Sequence, residues 1–144
     1  MILVLLLPIF TYRTYFLKWA HTPETYFAFT TDLYHIGQFL RAKPMNTIAY
    51  VVVNLDGTDI RGIPAPAQTI MFVTDTFRQN ERTAKKIFYV RKDQLDHIKI
   101  EDDQHTIIIP LNGLDKETLS VIQKRFPSFK PKAPDDFVLL ENNL

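Results

Sequence analysis

Residues 48–53 read Ile-Ala-Tyr-Val-Val-Val, six positions without a charge. A strand with one wet face would alternate apolar and polar side chains. A near-continuous β-branched run needs cover on both faces, so it predicts a central strand between two layers. Ile87-Phe-Tyr-Val90 and Thr106-Ile-Ile-Ile109 are shorter runs of the same kind. Around them the period changes to that of a helix. Leu33, Ile36, Gly37 and Leu40 share one face of a helix predicted over residues 32–43, which Asp32 favours at its start and Pro44 ends. Pro64 and Pro66 open a second, over residues 66–77. Asp115 caps a third, with Leu119, Ile122 and Phe126 on its buried face. Residues 78–86 read as a polar loop and 92–98 as one helical turn. Pro127, Pro131 and Pro134 mark an extended connection to a last short strand over 137–140, with 141–144 as a frayed tail. The alternation predicts an α/β fold: a layered sheet of about four strands, largely parallel, flanked by three helices.

The first twenty residues belong to a different pattern. Met-Ile-Leu-Val-Leu-Leu-Leu is followed by Tyr12, Arg13, Tyr15, Phe16, Lys18 and Trp19. Tyr and Trp favour the headgroup layer of a bilayer, and Arg and Lys can lift their charges out of it. Ten helical residues cover about 15 Å against a hydrocarbon core of about 30 Å. The segment is expected to be a short apolar helix stub, the remnant of a membrane helix with its aromatic and basic interface at 1–20, followed by one α/β domain over 21–144. A secretory signal has no support in the flanks, because no basic residue precedes the apolar run and no A-x-A site follows it. The basic residues on its C-terminal side alone would place the domain in the cytoplasm.

The chain has 17 Lys and Arg against 16 Asp and Glu, a net charge of +1. That balance gives no field for attracting nucleic acid. Without cysteine there is no disulfide, thiol nucleophile or zinc-thiolate site. Ser120 and Ser128 stand outside any G-x-S-x-G context, and the four glycines form neither a dinucleotide fingerprint nor a P-loop. No catalytic residue, cofactor or metal ligand is therefore assigned. The one region with metal-compatible side chains is residues 96–105, where His97 and His105 bracket Glu101, Asp102 and Asp103. Its spacing matches no helical ligand pair, and a solvated loop explains the same residues. The aromatic residues Tyr15, Phe16 and Trp19, together with Gln68 at the start of an otherwise apolar helix, are the candidate interaction surface.

Tyr15-Phe16, Trp19-Ala20, Pro23-Glu24-Thr25, Phe29, Asp32 and the Ile36-Gly37-Gln38-Phe39-Leu40 helix resemble a particular junction. It is the junction after the last membrane helix of bacterial polyprenyl-phosphate-sugar-dependent glycosyltransferases, relatives of the protein mannosyltransferases and of the aminoarabinose transferases of lipid A. Tyr50-Val-Val-Val-Asn54 and Gly62-Ile-Pro-Ala-Pro-Ala-Gln-Thr-Ile-Met-Phe72 are similar to their C-terminal extracytoplasmic domain. The resemblance covers roughly the first half of the chain. It implies a non-catalytic domain on the outer face of a membrane, docking on a membrane-embedded transferase core or helping to hold a glycan or polyprenyl-phosphate-sugar. The family's catalytic aspartate lies in a loop among membrane helices that this chain does not match. The chain then reads as a domain separated from its membrane enzyme. Two other readings follow from the residues alone: a small soluble metal-dependent enzyme using the loop 96–105, and a secreted binding module.

Overall fold

A computed structural model describes residues 2–28, 30–100, 103–134 and 136–142; the side chains of residues 2–6, His21 and Phe27 also lie outside the description, as do Phe29, Glu101 and Asp102. The chain forms two compact units, residues 1–32 and 33–144. The first is helical: α1 (Ile2–Tyr12), a six-residue π-helix Arg13–Lys18, a 3-10 turn Trp19–His21 and α2 (Pro23–Ala28). Pro23 opens α2 at the position where its missing N–H costs nothing. Thr22 and Thr25 tie its start together, with the Thr25 hydroxyl donating to the Trp19 carbonyl at 2.7 Å.

The second unit is the α/β domain. Helix α3 (Thr31–Arg41) leads into β1 (Ile48–Val53), the short strands β2 (Asp59–Ile60) and β3 (Ile63–Pro64), α4 (Gln68–Thr74), α5 (Gln79–Lys85) and β4 (Ile87–Arg91). A 3-10 segment, Lys92–His97, follows, then β5 (Thr106–Pro110), α6 (Lys116–Arg125), β6 (Phe129–Lys132) and β7 (Leu139–Asn142). The main sheet has five strands in the order β4-β1-β5-β7-β6. β1 pairs in parallel with β4 and β5, while β7 joins β5 and β6 antiparallel. The expected α/β layered sheet is present, with its first three strands parallel and a hairpin of two antiparallel strands completing it.

Burial follows from the β-branched runs. Every residue of β1 and of β5 is buried. Ala49, Val51, Val53, Ile107 and Ile109 face α3 and α4 through Leu33, Ile36, Leu40, Ile70 and Met71. Tyr50, Val52, Ile108 and Leu140 face the other layer, Leu95, Ile98, Ile122 and Phe129. One alternation thus feeds two cores.

The structure departs from the sequence-based outline in several places. The second predicted helix, expected over 66–77, spans only Gln68–Thr74 because Asp75 turns left-handed. Residues 78–86, expected as a loop, carry α5. It has no buried residue; Arg82 fastens it by donating to the carbonyls of Thr76 and Phe77, and Lys85 by donating to those of Thr74 and Asp75. The proline-rich connection contains β6, which tolerates Pro131 because it is the edge of the sheet. The last strand begins at Leu139 and takes in Glu141, which was expected in a frayed tail. Glu141 is buried, accepts from Lys132 and lies 3.5 Å from His105. Burial alone would raise its pKa, but the Lys132 hydrogen bond and the charges of Lys132, His105 and Lys43 outweigh it and lower the value. Asn143 and Leu144 lie outside the described residues.

Gly37 marks the tightest helix crossing. A Cβ built there would stand 2.7 Å from Val73 Cβ and 2.9 Å from its Cγ1. Alanine would gain about 1 kcal/mol of helix propensity, yet overpacking of this kind costs about 1–3 kcal/mol. Because the clash is with an atom fixed to the α4 backbone, the steric cost wins. Gly37→Ala is therefore expected to destabilise the domain by about 1 kcal/mol in urea unfolding, and Val73→Ala should recover part of that loss. A stabilised Gly37→Ala variant would show that α3 and α4 do not meet this closely.

Candidate interaction surface

In the N-terminal unit, α1 runs directly into the π-helix, so residues 2–18 form a continuous helical stretch about 25 Å long at the α-helical rise. No helix among the described residues is long and apolar enough to cross a membrane. Leu7, Ile9, Phe10, Tyr12, Tyr15, Phe16, Leu17 and Trp19 are each 50–74% exposed. At about 100° per residue these positions point to every side of the helix rather than to one stripe. Tyr12 stacks on Phe16 with ring centroids 5.2 Å apart, and Tyr15 meets Trp19 edge-on at 6.4 Å. Arg13 and Lys18 bound the same π-helical segment. The expected aromatic residues Tyr15, Phe16 and Trp19 are thus gathered on one short stretch, and Tyr12 joins them.

Gln68 belongs to the other unit. It is the first residue of α4, half-buried, and its side chain makes no hydrogen bond to a described residue. The chain reaches it through a hairpin that sequence reasoning missed: β2 and β3 pair antiparallel around Arg61 and Gly62, both with positive φ (56° and 83°). Asp59 Oδ1 accepts from the Gly62 N–H at 2.7 Å, which offsets the strain of a left-handed arginine.

Open α/β sheets offer a general binding place, the crevice beyond the carboxyl ends of adjacent strands whose connections leave toward opposite faces. Here that place lies between β1, whose connection reaches α4 on one face, and β5, whose connection reaches α6 on the other. A side chain fills it. Asn54 Oδ1 accepts from the Asn112 N–H at 2.8 Å, and its amide nitrogen donates to Asn112 O at 3.0 Å and Asp115 Oδ2 at 3.2 Å. Next to it, Lys92 pairs with Glu117 at 2.9 Å and Asp115 at 3.7 Å, while Arg91 pairs with Asp59 at 2.8 Å. These groups bind one another, and beside them a cavity of about 650 Å³ stays open, lined by Asn54, Asp56, Gly57, Arg91 and Lys92.

Asp115 is the N-cap of α6, as its sequence position predicts. It accepts from the Thr118 hydroxyl at 2.6 Å and the Thr118 N–H at 3.1 Å. Those two bonds, ahead of Asn54 and Lys92, lower its pKa from 3.8 to about 2. A depressed carboxylate adds stability above its unfolded pKa and loses it as pH falls toward the folded value. Asparagine caps a helix as well as aspartate but carries no charge. The difference in melting temperature between wild type and Asp115→Asn is therefore expected to be largest above pH 5 and to shrink as pH falls from about 4 to about 2. Thermal melts across that range test it, and a constant difference would contradict the assignment.

In the loop 96–105, His97 is exposed and His105 is engaged with Glu141, while Glu101 and Asp102 lie outside the described residues. Among the described residues no group of three or more His, Asp or Glu side chains is placed to hold a metal ion. No family model matches the chain, and no curated protein or solved structure does either.

Proposed function

We propose that this chain is a non-catalytic, membrane-associated domain of, or accessory to, a membrane glycosyltransferase that uses lipid-linked sugars, working on the extracytoplasmic face in docking or in holding an acceptor. The observation that carries the membrane part is the N-terminal helical stretch, whose exposed apolar side chains from Leu7 to Trp19 point to several sides and whose end gathers aromatic rings with Arg13 and Lys18. Exposed apolar side chains spread around a helix suit an apolar medium, and rings with cations at its end suit the headgroup layer. The glycosyltransferase part rests on the resemblance of the junction and of the segment 62–72.

The test is reconstitution. Purified chain should transfer no sugar from a polyprenyl-phosphate-sugar donor, and it should co-purify from detergent-solubilised membranes with a polytopic transferase. Turnover by the chain alone, or recovery free of any membrane protein, would overturn the reading.

A further inference from the structure

The α/β unit contains another place suited to a ligand, at the opposite end of the strands from the crevice beside Asn54. A cavity of about 650 Å³ opens between the end of α3, the end of α4 and the first residues of β1 and β4. That volume lies within the range of small-molecule sites, about 300–1,000 Å³. Its floor is apolar and buried: Leu40, Ala49 and Ile87. Its rim carries Phe72 and Met45, 76% and 75% exposed, so two large apolar side chains stand in water beside an apolar floor.

The charges around it are unequal. Asp75, the only carboxylate lining the cavity among the described residues, is engaged by Lys85, whose ammonium also donates to the carbonyls of Thr74 and Asp75 at 2.8 Å each. Arg41 makes no ion pair or hydrogen bond to a described residue. Lys43 lies over the Phe39 ring, 4.1 Å from its centroid, a contact that leaves its charge in place. Both cations face the cavity: Arg41 has no carboxylate partner among the described residues, and Lys43, whose charge also acts on Glu141 outside the cavity, has none in its wall.

From this combination we infer that the cavity binds a single-chain amphiphile with an anionic head, its chain on Leu40, Ala49, Ile87, Met45 and Phe72 and its head on Arg41 and Lys43. Burying the chain removes exposed apolar surface from water, and the head supplies an anion to Arg41 with Lys43 beside it. This inference does not depend on the membrane role of the N-terminal helix.

The protein carries its own reporters. Met45 lies on the rim and Met71 is buried in the core. In full-length protein with ¹³C-labelled methionine methyl groups, monomeric dodecyl phosphate should shift the Met45 signal saturably and leave Met71 in place. Arg41→Gln/Lys43→Gln and Phe72→Ser change exposed or half-exposed positions, so the fold should persist, and each should weaken binding at least about tenfold. That factor corresponds to about 1.4 kcal/mol. A neutral dodecyl glycoside should bind wild type at least about tenfold more weakly than dodecyl phosphate, and inorganic phosphate should not move Met45. Equal binding of neutral and anionic amphiphiles, unchanged affinity in the double variant, or a stationary Met45 signal would each overturn the inference. Loss of vesicle binding with Met45 still responsive would count against the N-terminal helix alone.

Discussion

Ile108→Ala is expected to lower the unfolding free energy of the α/β unit by about 3 kcal/mol, the usual scale for removing a large aliphatic side chain from a packed core. Ile108 has no exposed surface. Its Cα partners are Tyr50 on β1, in the parallel half of the sheet, and Leu140 on β7, in the antiparallel half. On its face it belongs to the cluster containing Ile122, Leu95 and Phe129. Truncation removes contacts at the seam where the two halves of the sheet meet, and neighbours from separate elements cannot all collapse into the gap. Since domains are stable by only about 5–15 kcal/mol, this is a large fraction of the total. Urea unfolding followed by circular dichroism measures it. Val121→Ala on α6, where Val121 is 46% exposed, is the control, with an expected change of about 0.5 kcal/mol or less. A loss below about 1 kcal/mol for Ile108→Ala would mean that this seam is not packed as described.

The second large effect concerns the N-terminal unit. Replacing Tyr12, Tyr15, Phe16 and Trp19 together by serine is expected to reduce partitioning onto phospholipid vesicles by at least about a hundredfold. Full burial of one such ring is worth about 1.5–3 kcal/mol, and an interface recovers only part of it. About 0.7 kcal/mol from each of four rings already sums to roughly two factors of ten. None of the four is buried, so the α/β unit should melt at an unchanged temperature. Neutralising Arg13 and Lys18 should act differently, weakening binding to anionic vesicles at low salt with little effect on neutral ones, because juxtamembrane cations contribute about 1 kcal/mol each and are screened. Unchanged partitioning of the serine variant would remove the aromatic rings from the account.

The parts of the fold that were legible in the sequence are those where burial and period coincide. β1 spans the six residues its β-branched run marked, and α6 starts after Asp115 because the carboxylate supplies the cap that the sequence position suggests. α5 escaped because it buries nothing: its hold on the domain is through Arg82 and Lys85 reaching back to carbonyls, which leaves no apolar period. β6 escaped because Pro131 argues against a central strand and is silent about an edge. The one internal signal for it was Phe129, whose partner on β7 is Asn142. The β2–β3 turn uses Arg61 at positive φ, which turn chemistry does not anticipate for arginine.

For the candidate surface, the grouping of Tyr12, Tyr15, Phe16 and Trp19 was legible because these residues are neighbours in the sequence. The bridge from Asn54 to Asn112 and Asp115 was not. It depends on Asn54, Asn112 and Asp115 being brought together from positions separated by some sixty residues, and only the parallel pairing of β1 with β5 does that.

Co-flotation of the full chain with phospholipid vesicles is the most direct test of the membrane role proposed for the N-terminal helix. The account predicts that the protein rises with vesicles in a density gradient and stays with them at high salt, since apolar and aromatic contact provides most of the attachment. Protein that remains at the bottom of the gradient with both neutral and anionic vesicles would contradict it.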